Sequence, residues 1–132
     1  MNRTSAVDPH VELCASTPTA HIGDRIEITG LAVDIGLPIY ALMVRDETAA
    51  DWIRLAEISY ENRVRFLKKD YAPFGIAGSR ADMQQANFQL NARRAGRYAF
   101  RINATGEIHY GYTGPATFSG AGSDPIEITI EP

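Results

Sequence analysis

The sequence predicts an all-β chain folded as a two-layer antiparallel sandwich of about seven to nine short strands. Three observations carry that expectation. Isoleucine outnumbers leucine by 13 to 7, a bias toward pleated, half-buried surfaces rather than helices. Three segments alternate apolar and polar residues with a period of two, the pattern of a strand with one face in a core. Breaks rich in glycine and proline separate the apolar segments, and no convincing helical stripe appears. At 132 residues, 45% hydrophobic and 22% charged, the chain suits one folded domain over residues 1–132, with residues 1–9 expected to be flexible.

Taken in order, His10 to Ala15 alternates through Val11 and Leu13. Arg25 to Asp34 begins with Ile26 and Ile28 on one face and then switches parity to Leu31 and Val33, so a bulge is expected at Gly30. Ile39 to Val44 is continuously apolar, as a central strand would be. Trp52 to Tyr60 fits both helical and strand spacing. A strand is favoured because Glu61-Asn62 offers a turn into Asn62–Lys68, where Val64 and Phe66 alternate with Arg63 and Arg65. Together these would form an extra hairpin after the third strand. Residues 70–82 read as loop, broken by Pro73, Gly75 and Gly78.

The three firmest strands follow. Ala86, Phe88, Leu90 and Ala92 stripe the segment from Gln84 to Arg93. Tyr98, Phe100 and Ile102 stripe Arg97 to Asn103, and Ile126, Ile128 and Ile130 stripe the end of the chain. If Arg101 faces Glu127, then Arg97 faces Glu131, and Tyr98, Phe100 and Ile102 meet Ile130, Ile128 and Ile126. Such cross-strand pairs contribute about 0.2–1 kcal/mol each. This register implies a long C-terminal hairpin turning within Thr113–Ala116, with Tyr110 opposite Phe118.

The run Ala95-Gly96-Arg97-Tyr98-Ala99-Phe100 resembles the tyrosine corner of immunoglobulin-like (Ig-like) sandwiches, where a tyrosine near the start of strand F bonds back to upstream backbone. Ile22-Gly23-Asp24-Arg25-Ile26-Glu27-Ile28 is similar to the opening of strand B in bacterial Ig-like surface modules, and Ile126–Ile130 to their strand G. Three departures separate the chain from antibody domains. Phe100 stands where those have their second cysteine, Ile39–Val44 contains no tryptophan, and Arg94 replaces the usual acidic residue four before the tyrosine. The resemblance therefore implies a bacterial Ig-like or fibronectin-like module. In its family such a module is a non-catalytic spacer or protein-interaction domain of an exported or cell-surface protein.

Little in the sequence assembles a reactive centre. His10, His21 and His109 fall on different expected elements with no metal-ligand spacing, so no metal or other cofactor is expected. Ser119-Gly120 and Ser123 lack a nucleophile elbow, and the glycines after Gly106 match no phosphate-binding fingerprint. Cys14, the single cysteine, cannot form an internal disulfide; it is expected to be a buried, inert thiol, with a reactive or intermolecular thiol as the alternative. The N-terminal Met-Asn-Arg-Thr-Ser-Ala-Val-Asp lacks the apolar core of a signal peptide. The longest uncharged apolar run, Ile35–Val44, is about half a membrane span, so no membrane insertion is expected.

Two features suggest recognition. The first is an aromatic hairpin bearing Tyr110, Tyr112 and Phe118; tyrosine gives large contact area at low entropic cost. The second is charge segregation: residues 54–101 hold ten basic and four acidic residues within a chain of formal net charge −3. A basic face of Arg63, Arg65, Arg93, Arg97 and Arg101 could meet an acidic protein or a second copy, or simply guard exposed strand edges. Nucleic acid is not expected, because these bases are not interleaved with exposed aromatics. The alternative function is carbohydrate or small-ligand binding, with Trp52, Tyr110, Tyr112 or Phe118 stacking on sugar rings.

Overall fold

The computed structural model describes residues 8–59, 63–68, 71–82, 84–109 and 116–132. These form eleven strands and no helix: β1 (His10–Ala15), β2 (Thr19–His21), β3 (Arg25–Val33), β4 (Gly36–Asp46), β5 (Ile53–Ile58), β6 (Val64–Phe66), β7 (Phe74–Asp82), β8 (Gln85–Ala92), β9 (Gly96–His109), β10 (Ala116–Gly122) and β11 (Ile126–Glu131). One sheet has the order β1-β3-β8-β7; the other runs β2-β11-β9-β4-β5-β6, with β10 also paired to β9. Every pairing is antiparallel except β2 with β11. The sandwich architecture, the extra hairpin β5–β6 and the long hairpin β9–β10 match the sequence reading; the strand count exceeds it. Of the N-terminal residues expected to be flexible, Asp8 and Pro9 are described, and the Asp8 amide donates to Asp34 Oδ2 at 2.9 Å.

One added strand is β7, where a loop was expected. Its glycines accommodate neighbours instead of making turns. A Cβ at Gly75 would lie 2.8 Å from the Arg93 guanidinium, and one at Gly78 would press on Ile58 and Phe88 at 3.3 and 3.4 Å. β7 then follows β8 in register from Phe74↔Ala92 to Arg80↔Ala86. Template pairing has overridden poor local propensity.

Nor does β3 bulge at Gly30. Its pairings with β1 and β8 run unbroken, and Ile26, Ile28, Gly30 and Ala32 all face inward. The glycine serves the opposite layer. A Cβ there would stand 2.7 Å from Ile102 Cδ1, so the two sheets approach over Gly30 with Ile102 filling the space.

Between β9 and β11 the expected register is corrected by two positions, which preserves which residues face inward. Glu127 pairs with Ala99, Ile128 with Tyr98 and Thr129 with Arg97, so neither Arg101–Glu127 nor Arg97–Glu131 is formed. Further along, Phe118 pairs with Glu107 rather than residue 110. Between Gly122↔Asn103 and Ile126↔Phe100 the outer strand carries one extra residue, a bulge at Ser123–Pro125. Buried Ser123 closes it: its amide donates to the Ile102 carbonyl at 2.9 Å, and the Ile102 amide donates to Ser123 Oγ at 3.0 Å.

The core lies between the layers, and aromatic rings hold one end. Phe74 on β7 meets Tyr98 and Phe100 on β9 edge-on, at centroid distances of 4.7 and 5.5 Å. Phe100 thus packs across the layers. Tyr98 is 3% exposed, and its hydroxyl donates to the Arg94 carbonyl at 3.1 Å. Burial raises the pKa of Tyr98, and it pushes the neighbouring Tyr71, stacked on Phe74, up to about 12.

Candidate functional site

β9 sends Tyr98, Phe100, Ile102 and Ala104 into the core, so alternation leaves Arg97, Arg101 and Asn103 on the outer face of the seven-stranded sheet. Register carries this face sideways: Arg101 pairs with Met43, Met43 with Arg54, Asn103 with Ala41, Ala41 with Glu57 and Glu57 with Arg65. Arg97 and Arg101 therefore share a face with Arg65 but stand three strands away from it. Arg93 belongs to the other sheet, just after β8, beside Gly75. The five arginines do not form one patch.

Just before β5, the Trp52 ring has two cations against it. Arg45 Cζ is 4.9 Å and Arg101 Cζ 5.7 Å from its ring centroid, within cation–π range. Arg101 also crosses Gly122, where any Cβ would collide with its guanidinium. The Arg101 Nε and the Asn103 Oδ1 are buried there without hydrogen-bond partners. At the edge of this region Arg97 borders a shallow pocket of about 120 Å³ with Arg45, Asp46, Glu47 and Glu127. The Thr48 hydroxyl, bonded to Asp46 Oδ1 at 2.7 Å, holds that carboxyl below its ordinary pKa.

Toward the end where β4 begins and β5 ends, the face opens into a groove of about 590 Å³ lined by Ile39, Glu57, Ser59, Arg63, Val64 and Arg65. Apolar Ile39 and Val64 line it beside charged Glu57, Arg63 and Arg65. Glu57 is shared between Arg54 and Arg65, the latter at 3.5 Å. Among the described residues this corner holds three arginines (Arg54, Arg63, Arg65) and one glutamate.

The same end carries backbone strain. The start of β4 crosses Gly106 so closely that a Cβ there would sit 2.3 Å from the Gly36 carbonyl oxygen. Beyond that crossing the β4–β9 register shifts, and Leu37 adopts φ 49° with 44% exposure. A leucine in this region costs about 1–2 kcal/mol. A following proline also biases its predecessor toward extended backbone, so nothing in the sequence signals the strain. On the far side of β9, Phe118 is 70% exposed and paired with Glu107, the residue that also pairs with Gly36. Tyr110 and Tyr112 lie outside the described residues.

The remaining candidates scatter. Cys14 is exposed rather than buried, because Val11 is the buried residue of β1 and Cys14 shares the opposite parity with Glu12. His10 bonds the Asp8 carbonyl at 2.7 Å and Glu12 at 3.1 Å, both of which raise its pKa. His21 lies 3.9 Å from Asp24. Among the described residues, no group of three or more His, Cys, Asp or Glu side chains is placed to hold a metal ion. No helix among them is long and apolar enough to cross a membrane. In comparisons with known proteins, no family model matches the chain and no curated protein matches it.

Proposed function

We propose that this chain is a non-catalytic Ig-like module that binds another protein, or a second copy of itself, through the end of its larger sheet. Two features support the Ig-like reading. The smaller sheet runs β1-β3-β8-β7, and the larger places β11-β9-β4-β5-β6 side by side, which is the strand order of a variable-type Ig sandwich. Tyr98 also bonds back four residues to the Arg94 carbonyl, as the tyrosine of such a corner does. In variable-type domains the links between these strands at one end of the sandwich carry recognition.

One observation carries the binding reading. Leu37, held exposed at φ 49°, and Phe118, 70% exposed, flank an end that also contains the groove with apolar Ile39 and Val64 and charged Glu57, Arg63 and Arg65. Exposed apolar side chains beside charged ones are the materials of a protein interface. The excess of arginine over glutamate among the described residues of this corner favours an acidic partner. A carbohydrate partner is less well supported: Trp52, a ring that would stack on a sugar, already has two guanidinium groups against it, and Phe118 is the exposed ring among the described candidates. The Ig-like resemblance brings with it an exported or cell-surface bacterial setting.

Site-specific photo-crosslinking tests the reading. A photoreactive side chain at Leu37 or Arg63 should capture a partner in the native host, and one at Gln89, on the opposite sheet, should not. Charge reversal of Arg63 and Arg65 to glutamate should abolish the product from Leu37. Equal capture from Gln89, or capture indifferent to charge reversal, would overturn it.

A further inference from the structure

We infer that β10 is an open pairing edge through which two copies of this chain join, antiparallel about a two-fold axis at Ser119. The inference does not depend on the Ig-like reading or on the groove at Arg63 and Arg65. β10 pairs with β9 along one side, and among the described residues no strand pairs with its other side. β1, in the facing sheet, passes nearby without pairing with it.

Unpaired strand edges normally carry a defence: charge, proline, a bulge or short length. The other edges of this fold comply. β2 and β6 are three residues long, β1 carries Glu12, and β7 carries Arg80 and Asp82. β10 is seven residues, Ala-Thr-Phe-Ser-Gly-Ala-Gly, with neither charge nor proline. It also bears Phe118, whose 70% exposure exceeds that of the other exposed large apolar residues, from 37 to 47%. A bare edge with an exposed aromatic is a template for strand addition.

Any extended peptide could satisfy the backbone of such an edge; the side-chain pattern selects a second copy. Ser119 is the midpoint of the strand, so a two-fold there gives all seven residues a partner. It sets Phe118 directly opposite Gly120 of the second copy, on the same face, and Gly120 opposite that copy's Phe118. Beside Gly120 and Gly122 lies a groove of about 260 Å³ bordered by Arg101, Asn103 and Thr105. A Cβ at Gly120 would collide with the Ala104 carbonyl at 2.8 Å and one at Gly122 with Arg101, so these positions stay flat. A ring opposite a glycine lies down over the bare strand and covers it. Knob and groove thus sit two residues apart on one strand, which makes the edge self-complementary, as a two-fold interface requires.

A seven-residue edge is a small contact beside the roughly 1,200–2,000 Å² of standard stable interfaces, so association should be weak, half-complete on the order of 0.1–1 mM. Sedimentation velocity on the whole chain from about 10 μM to 1 mM tests it. The wild type should shift toward dimer with concentration, and Phe118→Lys should weaken association at least tenfold. In a Cys14→Ser background, Ser119→Cys should form a disulfide-linked dimer under mild oxidation, and Glu127→Cys, exposed on β11, should not. The disulfide carries the test should the lysine variant prove unfolded by circular dichroism. A wild type that stays monomeric at 1 mM would overturn the inference. So would a dimer indifferent to Phe118→Lys, equal crosslinking at Glu127, or pairing only with a foreign extended peptide.

Discussion

Replacing Gly106 with alanine probes the tightest crossing in the fold. The new Cβ would stand 2.3 Å from the Gly36 carbonyl oxygen, 2.9 Å from Ile35 Cγ2 and 3.2 Å from Pro38 Cα. Non-bonded heavy atoms settle near roughly 3.5 Å, so the start of β4 must retreat by about 1 Å. It has little freedom to do so. Gly36 is paired with Glu107, Ile35 is 2% exposed within the core, and Leu37 is already strained. Overpacking against backbone costs up to about 3 kcal/mol. Loss of glycine's freedom in the unfolded chain offsets about 0.4–1 kcal/mol of that. The net expectation is a loss of about 2 kcal/mol, read in urea as a midpoint lowered by about 1 M at unchanged slope. Gly23→Ala serves as the comparison: nothing lies within 4 Å of its Cβ, and only its φ of +97° penalises a side chain, so about 1 kcal/mol is expected. If Gly106→Ala changes stability by less than about 0.5 kcal/mol, or less than Gly23→Ala, the close crossing does not exist as described.

Three further outcomes follow from the same geometry. Tyr98→Phe, which deletes the hydroxyl bonded to the Arg94 carbonyl and leaves the ring in place, should cost about 1 kcal/mol in urea unfolding. Tyr71 retains its proton in the folded state up to about 12, whereas the unfolded chain loses it near 10. The native state therefore binds more protons in that window, and stability should fall as pH rises from 10 toward 12; Tyr71→Phe should flatten the fall in pH-dependent melting. Arg45→Ala or Arg101→Ala should each remove about 0.5–1 kcal/mol of cation–π contact. Either should expose the single tryptophan to acrylamide quenching, the Arg45 change more than the Arg101 change because it lies closer.

The strands with strong alternation were legible from the sequence, and the limits of that legibility have physical causes. Ala86 to Ala92, Tyr98 to Ile102 and Ile126 to Ile130 each declare an inward face, and each is buried as declared or nearly so. Alternation has a period of two, so it fixes the face but not the register. The Arg101–Glu127 pairing and the observed Ala99–Glu127 pairing both put the isoleucines inward, so parity could not choose between them; the one-residue bulge at Ser123 only restores the inward face of β11 after β10. β7 was missed because it owes its form to β8 rather than to its own residues. Gly30 read as a bulge because the residue that needs its empty space, Ile102, arrives from the opposite sheet.

The site was less legible for the same reason. Parity placed Arg97 and Arg101 outward, but it could not say that three strands separate them from Arg65. The Arg45–Trp52–Arg101 stack joins two neighbouring strands to a third that arrives much later in sequence. Cys14 was recoverable: with Val11 inward, its own parity points outward.

The contact between Ile102 and Gly30 joins the two layers, and it can be observed directly. A methyl-resolved nuclear Overhauser spectrum should show the Ile102 δ1 methyl beside the Gly30 α protons, together with cross-strand contacts that pair Ile128 with Tyr98. An Ile102 methyl that never sees Gly30, or a final hairpin in which Ile128 faces Phe100, would contradict both the stacking of the sheets and the register on which the surface sites depend.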